Sequence, residues 1–253
     1  MTDSVAIVTG ASQGIGRASA VRLARDFSAI VLVARNLAHL NDTAAQVKAA
    51  GAEPLVLDLD LREPASAQIV VSRTLERFGR IDALLNIAGA VPQIDLFEMT
   101  DQQWDDGMAL KLHGARRLTL SAWDALKAAR GAVVLISGNS AESPKAPYAA
   151  VGTINAAIVA LAKAFSDRGL KDGVQVNSVL PGPVMTGRRP FLSREMGAGA
   201  QGEFGRCNPE IPAGCRHWQI RRARRNRRAH GLPGFAFGAL DDRRSAAHGW
   251  RRG

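Results

Sequence analysis

The segment that most constrains this chain is Thr9-Gly10-Ala11-Ser12-Gln13-Gly14-Ile15-Gly16, in which three glycines follow a β-branched run and lead into a helical pattern. Glycine lets the backbone turn tightly and come close to a ligand, and the helix that follows presents unpaired N–H groups to a phosphate. Glycine-rich turns are common, so the flanks decide the reading. Here a strand is predicted over residues 5–9, and Ile15, Ala20, Leu23, Ala24 and Phe27 mark one side of the following helix. In that setting the turn reads as a cradle for a dinucleotide pyrophosphate, with Gly10, Ser12, Gln13, Gly14, Ile15 and Gly16 as contact candidates.

Residues 1–192 repeat the strand-then-helix alternation. Strands are predicted over 5–9, 29–34, 54–58, 83–86, 133–137 and 174–179, and further helices within 37–50, 64–78, 101–130 and 148–169. Near-continuous apolar strands imply cover on both faces. The expected fold is therefore α/β: one Rossmann-like, doubly wound parallel sheet with right-handed crossovers and a ligand at the carboxyl edge. No apolar run reaches the roughly 18 residues that suggest a membrane span. A core strand from Val5 also leaves no room for a cleavable leader, so no membrane partner and a cytoplasmic location are expected. The only cysteines, Cys207 and Cys215, form neither a disulfide framework nor a metal-ligand set.

The periodicity stops near Phe191. Residues 193–253 hold thirteen Arg against five acidic residues, whereas residues 1–192 carry 20 basic and 18 acidic groups. The net charge of +10 thus belongs mainly to an irregular or disordered tail, with a dense basic run at 221–228. Such a run could hold a phosphate backbone through counterion release. It lacks interleaved aromatics and any reading module, which makes nucleic acid the weakest partner class.

Further motifs follow in order. Asp58 ends the third strand, Asn86-Ile87-Ala88-Gly89 follows the fourth, Asn177 lies in the sixth, and Pro181-Gly182-Pro183-Val184-Met185-Thr186 leaves it. With the Gly-x-x-x-Gly-x-Gly spacing they resemble the short-chain dehydrogenase/reductase family over roughly three quarters of the chain. The resemblance implies an oxidoreductase that moves a hydride between a nicotinamide cofactor and a small-molecule carbonyl/alcohol pair, assembled as a homodimer or homotetramer. It implies an adenine contact at Asp58 and cofactor contacts at Asn86, Ala88 and Gly89. The nicotinamide end falls to Pro181, Gly182, Val184 and Thr186. The second strand ends in Ala34-Arg35 with no acid for a ribose 2′-hydroxyl. Arg35 suits a 2′-phosphate, so NADP(H) is expected over NAD(H), against the alternative that Arg35 merely begins a solvated helix.

The same resemblance assigns acid/base work to a tyrosine whose pKa is lowered by a lysine four residues later. A free phenol titrates near pH ~10, so a nearby cation is needed at neutral pH. Tyr148 is the only tyrosine and opens the helix after the fifth strand, but Gly152 stands where the lysine is expected. An atypical branch is implied. Lys111-Leu112-His113-Gly114 replaces the family's Asn-x-x-Gly, which shapes a helix bulge. Lys111 is expected to supply the missing ammonium, against the alternative of a solvated surface lysine. The substrate-polarising serine maps closest to Gly138, leaving Ser137 or Ser140, each of which could equally be a turn serine. A catalytically silent dinucleotide-binding protein is the alternative reading.

The family normally continues with a Pro-Glu-Glu helix and a seventh strand ending in Asp-Gly-Gly, and neither follows Phe191. Permissible codons for the tail, shifted by one nucleotide from about Glu195, give an uninterrupted reading that contains both and ends MTGAALRMDGGE. Residues 193–253 are therefore expected to be out of frame, by a real shift or a sequencing error near Ser193. The part of the family that often builds the oligomer would be lost with it.

Overall fold

The computed structural model describes residues 4–182 and Val184. Thr186 and the expected out-of-frame tail, 193–253, lie outside the described residues.

Six strands form one sheet: β1 (Val5–Thr9), β2 (Ala29–Ala34), β3 (Glu53–Asp58), β4 (Ala83–Asn86), β5 (Ala132–Ile136) and β6 (Gln175–Val179). Their order is β3-β2-β1-β4-β5-β6 and every neighbouring pair is parallel. The chain winds outward from β1 in one direction and from β4 in the other, so the crossovers part between these two strands. Loops leaving their carboxyl ends open a crevice there. The strands match the predicted ones to within a residue at either end. One shift matters for the site: β5 ends at Ile136, so Ser137 lies in the loop beyond it.

Helices cover both faces. α1 (Gly14–Leu23), α2 (Leu37–Ala49) and α3 (Ser66–Phe78) connect the first strands, and α6 (Ala149–Asp172) runs back along β5 and β6. One apolar cluster joins Ala6, Val8, Ile30 and Leu32 to α1 and α2 through Ala20, Leu23, Leu40 and Val47. The other joins Ile7, Leu84 and Leu135 to Val70, Leu118, Leu126 and Ile158. Each Val, Leu or Ile side chain removed from water in this way contributes about 1.5–3 kcal/mol, which fixes the strand ends relative to one another.

The single helix predicted over 101–130 is three segments. α4 (Asp101–Gly107) passes into a π-helical turn (Met108–Gly114) and then into α5 (Ala115–Ala129). A π segment inserts extra backbone into the turn and often marks a functional site. Close packing holds it: a Cβ on Gly114 would lie 2.9 Å from the Leu61 carbonyl oxygen. A bulge of the kind the resemblance implies therefore forms here, around Lys111.

One helix bears on the expectation of no membrane partner. By length and composition the helix over Ala146–Asp172 is apolar enough to cross a membrane, an 18-residue stretch of it having a mean hydropathy of 1.5. No unbroken apolar run betrays this, because small and polar residues are interspersed along the helix. Ile154, Ile158, Ala162 and Phe165 of this helix are buried in the core.

Candidate active site

The glycine-rich turn leaves β1 at the crevice. Gly10 and Gly14 take left-handed conformations, with φ of +65° and +57°. Gly16 has no room for a side chain, since a Cβ would fall 2.1 Å from the Gly10 carbonyl oxygen. Gln13, the residue that caps α1, makes no side-chain cap and the first turn carries no acid. The amino end of α1 therefore keeps its positive pole for an anion.

Three residues outside the contact candidates hold this turn. The Arg17 guanidinium donates to the Ser12 carbonyl at 2.6 Å and to Thr43 Oγ1 at 3.0 Å. Thr43, fully buried, donates to the Ala11 carbonyl at 2.9 Å. Thr9 Oγ1 accepts from the backbone N–H groups of Ile87 and Ala88 at 2.8 and 3.0 Å. It thereby ties the β1 exit to the β4 exit, where a Cβ on Gly10 would lie 3.1 Å from Ala88. Thr9 opens the motif itself and was visible; Arg17 and Thr43 meet only through packing of α1 on α2.

At the ends of β2 and β3 a basic cluster surrounds Asp60. Arg62 grips the Asp60 carboxylate at 2.6 and 2.9 Å, and Arg35 approaches it at 3.7 Å. The hydrogen bonds from Arg62, with the charges of Arg62 and Arg35, hold the Asp60 carboxyl below its usual range. Arg35 and Arg62 line a cavity of about 180 Å³ together with Ala90, Gln103 and Asp106. Asp58 is exposed beside Arg35 and pairs in register with Ala34.

The third cluster sits at the ends of β4 and β5. Lys111 runs its stem past Gly89, where a Cβ would lie 3.0 Å from Lys111 Cδ. Its ammonium donates to Asn155 Oδ1 at 2.5 Å and to the Ser137 carbonyl at 3.3 Å. Asn155, buried on α6, donates through Nδ2 to Ser140 Oγ at 2.8 Å. Ser137 Oγ donates to the Asn155 carbonyl at 2.7 Å. Lys111 is thus half-buried and bonded, contrary to the solvated alternative. Asn155 was not a candidate on sequence, because nothing in one chain says that it faces Lys111.

Two glycines shape this cluster. A Cβ on Gly138 would meet Asn155 Nδ2 at 2.6 Å. A Cβ on Gly152 would meet Pro144 Cβ at 2.8 Å and the Ser140 carbonyl at 3.0 Å. Gly152 therefore faces a packed wall, and the α6 side chain that reaches the strand ends is Asn155.

The remaining candidates are spread more widely. Tyr148 is half-buried at the start of α6, seven residues before Asn155, which corresponds to about 10 Å along a helix axis. Among the described residues its hydroxyl has no hydrogen-bond partner, and no described bond brings it to Lys111. Asn86 is 5% exposed and turns inward, donating to Thr119 Oγ1 at 3.1 Å, while its Oδ1 is buried without a partner among the described residues. The Pro181 carbonyl accepts from Asn139 N at 3.2 Å, which ties the exits of β5 and β6. Gly182 and Val184 are exposed.

These residues fit a nicotinamide dinucleotide: an uncapped helix end at the pyrophosphate position, arginines on one side of it and a bonded ammonium on the other. A family profile described as short chain dehydrogenase matches residues 4–196. The chain is 30% identical over 195 residues to the short-chain reductase protein NovJ of Streptomyces niveus, covering 77% of this chain and 74% of that one. L-sorbose reductase from Gluconobacter frateurii, solved with NADPH and L-sorbose, superposes with a TM-score of 0.74 at 27% identity, covering 80% of this chain and 78% of that one. A short chain dehydrogenase from Mycobacterium paratuberculosis bound to NAD gives 0.69 at 26% identity, over 72% and 73% of the two chains.

Proposed function

This chain belongs to the short-chain dehydrogenase family, and on that footing we propose how its own residues carry out the chemistry. It is a nicotinamide-dependent oxidoreductase that transfers a hydride between the cofactor and an alcohol/carbonyl pair. One observation carries the reading of the site. The phosphate turn of β1 and the bonded ammonium of Lys111 lie at adjoining ends of the same parallel sheet, joined through Thr9 and Gly89.

The preferred cofactor is NADP(H). Arg35 stands 3.7 Å from the Asp60 carboxylate that Arg62 holds more closely, and it lines the cavity with Arg62, which leaves its guanidinium available to a 2′-phosphate. Gly10, Ser12, Gln13, Gly14, Ile15 and Gly16 hold the pyrophosphate, and Asp58 reaches the adenine. Ala88, Gly89, Pro181, Gly182, Val184 and Thr186 border the nicotinamide half, with Asn86 holding the β4 exit from behind. When bound, the nicotinamide supplies or accepts the hydride.

The two serines divide by where their protons go. The Ser137 proton is committed to the Asn155 carbonyl. Ser140 Oγ accepts from Asn155, so its own proton is free to meet a substrate oxygen. Ser140 therefore polarises the carbonyl, the Lys111 ammonium stabilises negative charge that builds on the oxygen, and Tyr148 exchanges the proton from the mouth of the site. A catalytically silent role is less favoured, because the site keeps a bonded cation and a donor hydroxyl. A cytoplasmic location and a shift of reading frame near Ser193 complete the proposal; resequencing the gene there tests the latter.

The function is tested by titrating nicotinamide fluorescence with NADPH and NADH and then offering a panel of aldehydes and ketones. Saturable NADPH binding with carbonyl-dependent oxidation is expected, and Ser140→Ala should cost far more turnover than Ser137→Ala. Binding without oxidation of NADPH by any carbonyl would favour the silent alternative.

A further inference from the structure

We infer that Asn155 is a positioning residue that converts the charge of Lys111 into the direction of the Ser140 hydroxyl. This rests on the reading above that Ser140 meets the substrate oxygen.

The argument is an inventory of protons. An ammonium only donates, so the atom of Asn155 that faces Lys111 Nζ at 2.5 Å must be the carbonyl oxygen Oδ1. The amide is planar, and its other end is then Nδ2, which only donates. Nδ2 lies 2.8 Å from Ser140 Oγ, so that oxygen must accept. Having accepted there, Ser140 cannot give its proton to Asn155, and among the described residues no other acceptor takes it. The hydroxyl proton is left pointing away from the amide. A cation on the π-helical turn thus fixes, through one side chain of α6, which way a hydroxyl in the loop after β5 points.

The surroundings leave the amide little freedom. Asn155 is 3% exposed, and its backbone carbonyl is held by Ser137 Oγ at 2.7 Å. The absence of a side chain at Gly138 makes room for Nδ2, which a Cβ would crowd at 2.6 Å. Lys111 is also bound to the Ser137 carbonyl, so cation and amide share one anchor. Bonds in such a chain polarise one another, which makes the Ser140 hydroxyl a stronger donor than an isolated serine.

Asn155→Asp separates this role from simple anchoring. A carboxylate has nearly the same shape and keeps, even strengthens, the bond to Lys111. It offers Ser140 only an acceptor, so the hydroxyl turns inward and is lost to the substrate. The fold and NADPH affinity should stay close to wild type, while kcat/KM for carbonyl reduction should fall about 100-fold, as for loss of one oxyanion donor. Ser140→Ala should lose a similar factor, and Asn155→Asp with Ser140→Ala should lose no more than either alone. Wild-type turnover in Asn155→Asp, or losses that multiply in the double variant, would overturn the inference.

A second measurement needs neither cofactor nor substrate. In the nucleotide-free protein the side-chain amide signals of Asn155, seen by NMR, should shift when Ser140 becomes Ala. In Lys111→Met their protons should exchange faster with water, because the amide is no longer pinned. Signals indifferent to both changes would also overturn it. If none of the carbonyls offered leads the wild-type protein to oxidise NADPH, the functional reading fails, and the amide signals still decide whether the relay exists.

Discussion

The Lys111 ammonium lies 2.5 Å from the Asn155 amide oxygen, so the cation at the ends of β4 and β5 comes from the π-helical turn while α6 contributes the neutral partner. Gly89 makes the approach possible, because any Cβ there would press on the lysine stem. The relationship relocates the positive charge without removing it from the site.

Restoring a lysine on α6 at the spacing first expected should therefore harm the protein. Gly152→Lys and Gly152→Ala both place a Cβ against Pro144 and the Ser140 carbonyl. Overpacking of this kind costs about 1–3 kcal/mol, and both variants should show it in denaturant melts. Gly152→Lys should gain no turnover over Gly152→Ala. A stable, faster Gly152→Lys would mean that the wall at Pro144 yields.

Arg35→Ala should weaken NADPH and leave NADH nearly unchanged. A charge-assisted contact contributes about 1.5–3 kcal/mol, or roughly tenfold to a hundredfold in the dissociation constant. Fluorescence titration of the two cofactors reads the ratio directly. Equal weakening of both would assign Arg35 a general structural role, leaving Arg62 as the candidate for the 2′-phosphate.

Tyr148→Phe removes only the phenol oxygen. Loss of proton transfer should lower turnover by about 10²- to 10⁴-fold with cofactor affinity intact. Undiminished turnover would move the proton to the Lys111 and Ser140 side of the site, which the position of Tyr148 at the start of α6 leaves open to test.

Asp172 carries a prediction about pH and stability outside the site. It accepts from Arg168 Nε and Trp123 Nε1, both at 2.7 Å, and lies 3.4 Å from Lys127. The hydrogen bond from Arg168 first, then that from Trp123, holds its carboxyl far below the usual range. Its folded value is depressed, so its stabilisation is complete above the unfolded carboxyl value near ~3.9 and is lost as pH falls through the folded one. Asp172→Asn should accordingly melt earlier than wild type at neutral pH, and the gap should close in acid. A gap that stays constant with pH would contradict the linkage.

The sheet, the phosphate turn and the crevice were legible because they rest on local patterns: apolar runs flanked by glycine, and helices with one apolar side. The exits of β4 and β6 could be placed for the same reason. What escaped the sequence was facing. Gly152 follows Tyr148 by four residues, yet its Cα points at Pro144, and Asn155 nearly one turn later points at Lys111. That outcome depends on how α6 lies against the loop after β5, which no spacing rule contains. The choice between Ser137 and Ser140 likewise needed the observed direction of two hydrogen bonds. The π segment was implied by resemblance, while its extent, Met108–Gly114, depends on packing against Leu61.

The account stands most directly on hydride transfer itself. NADPH carrying deuterium at both positions of the reactive nicotinamide carbon should be incubated with the protein and each carbonyl it consumes, and the alcohol weighed by mass spectrometry. One deuterium per product molecule, lost when Ser140 is replaced by Ala, is the expected result. Tight NADPH binding with no deuterated alcohol from any aldehyde or ketone would contradict it.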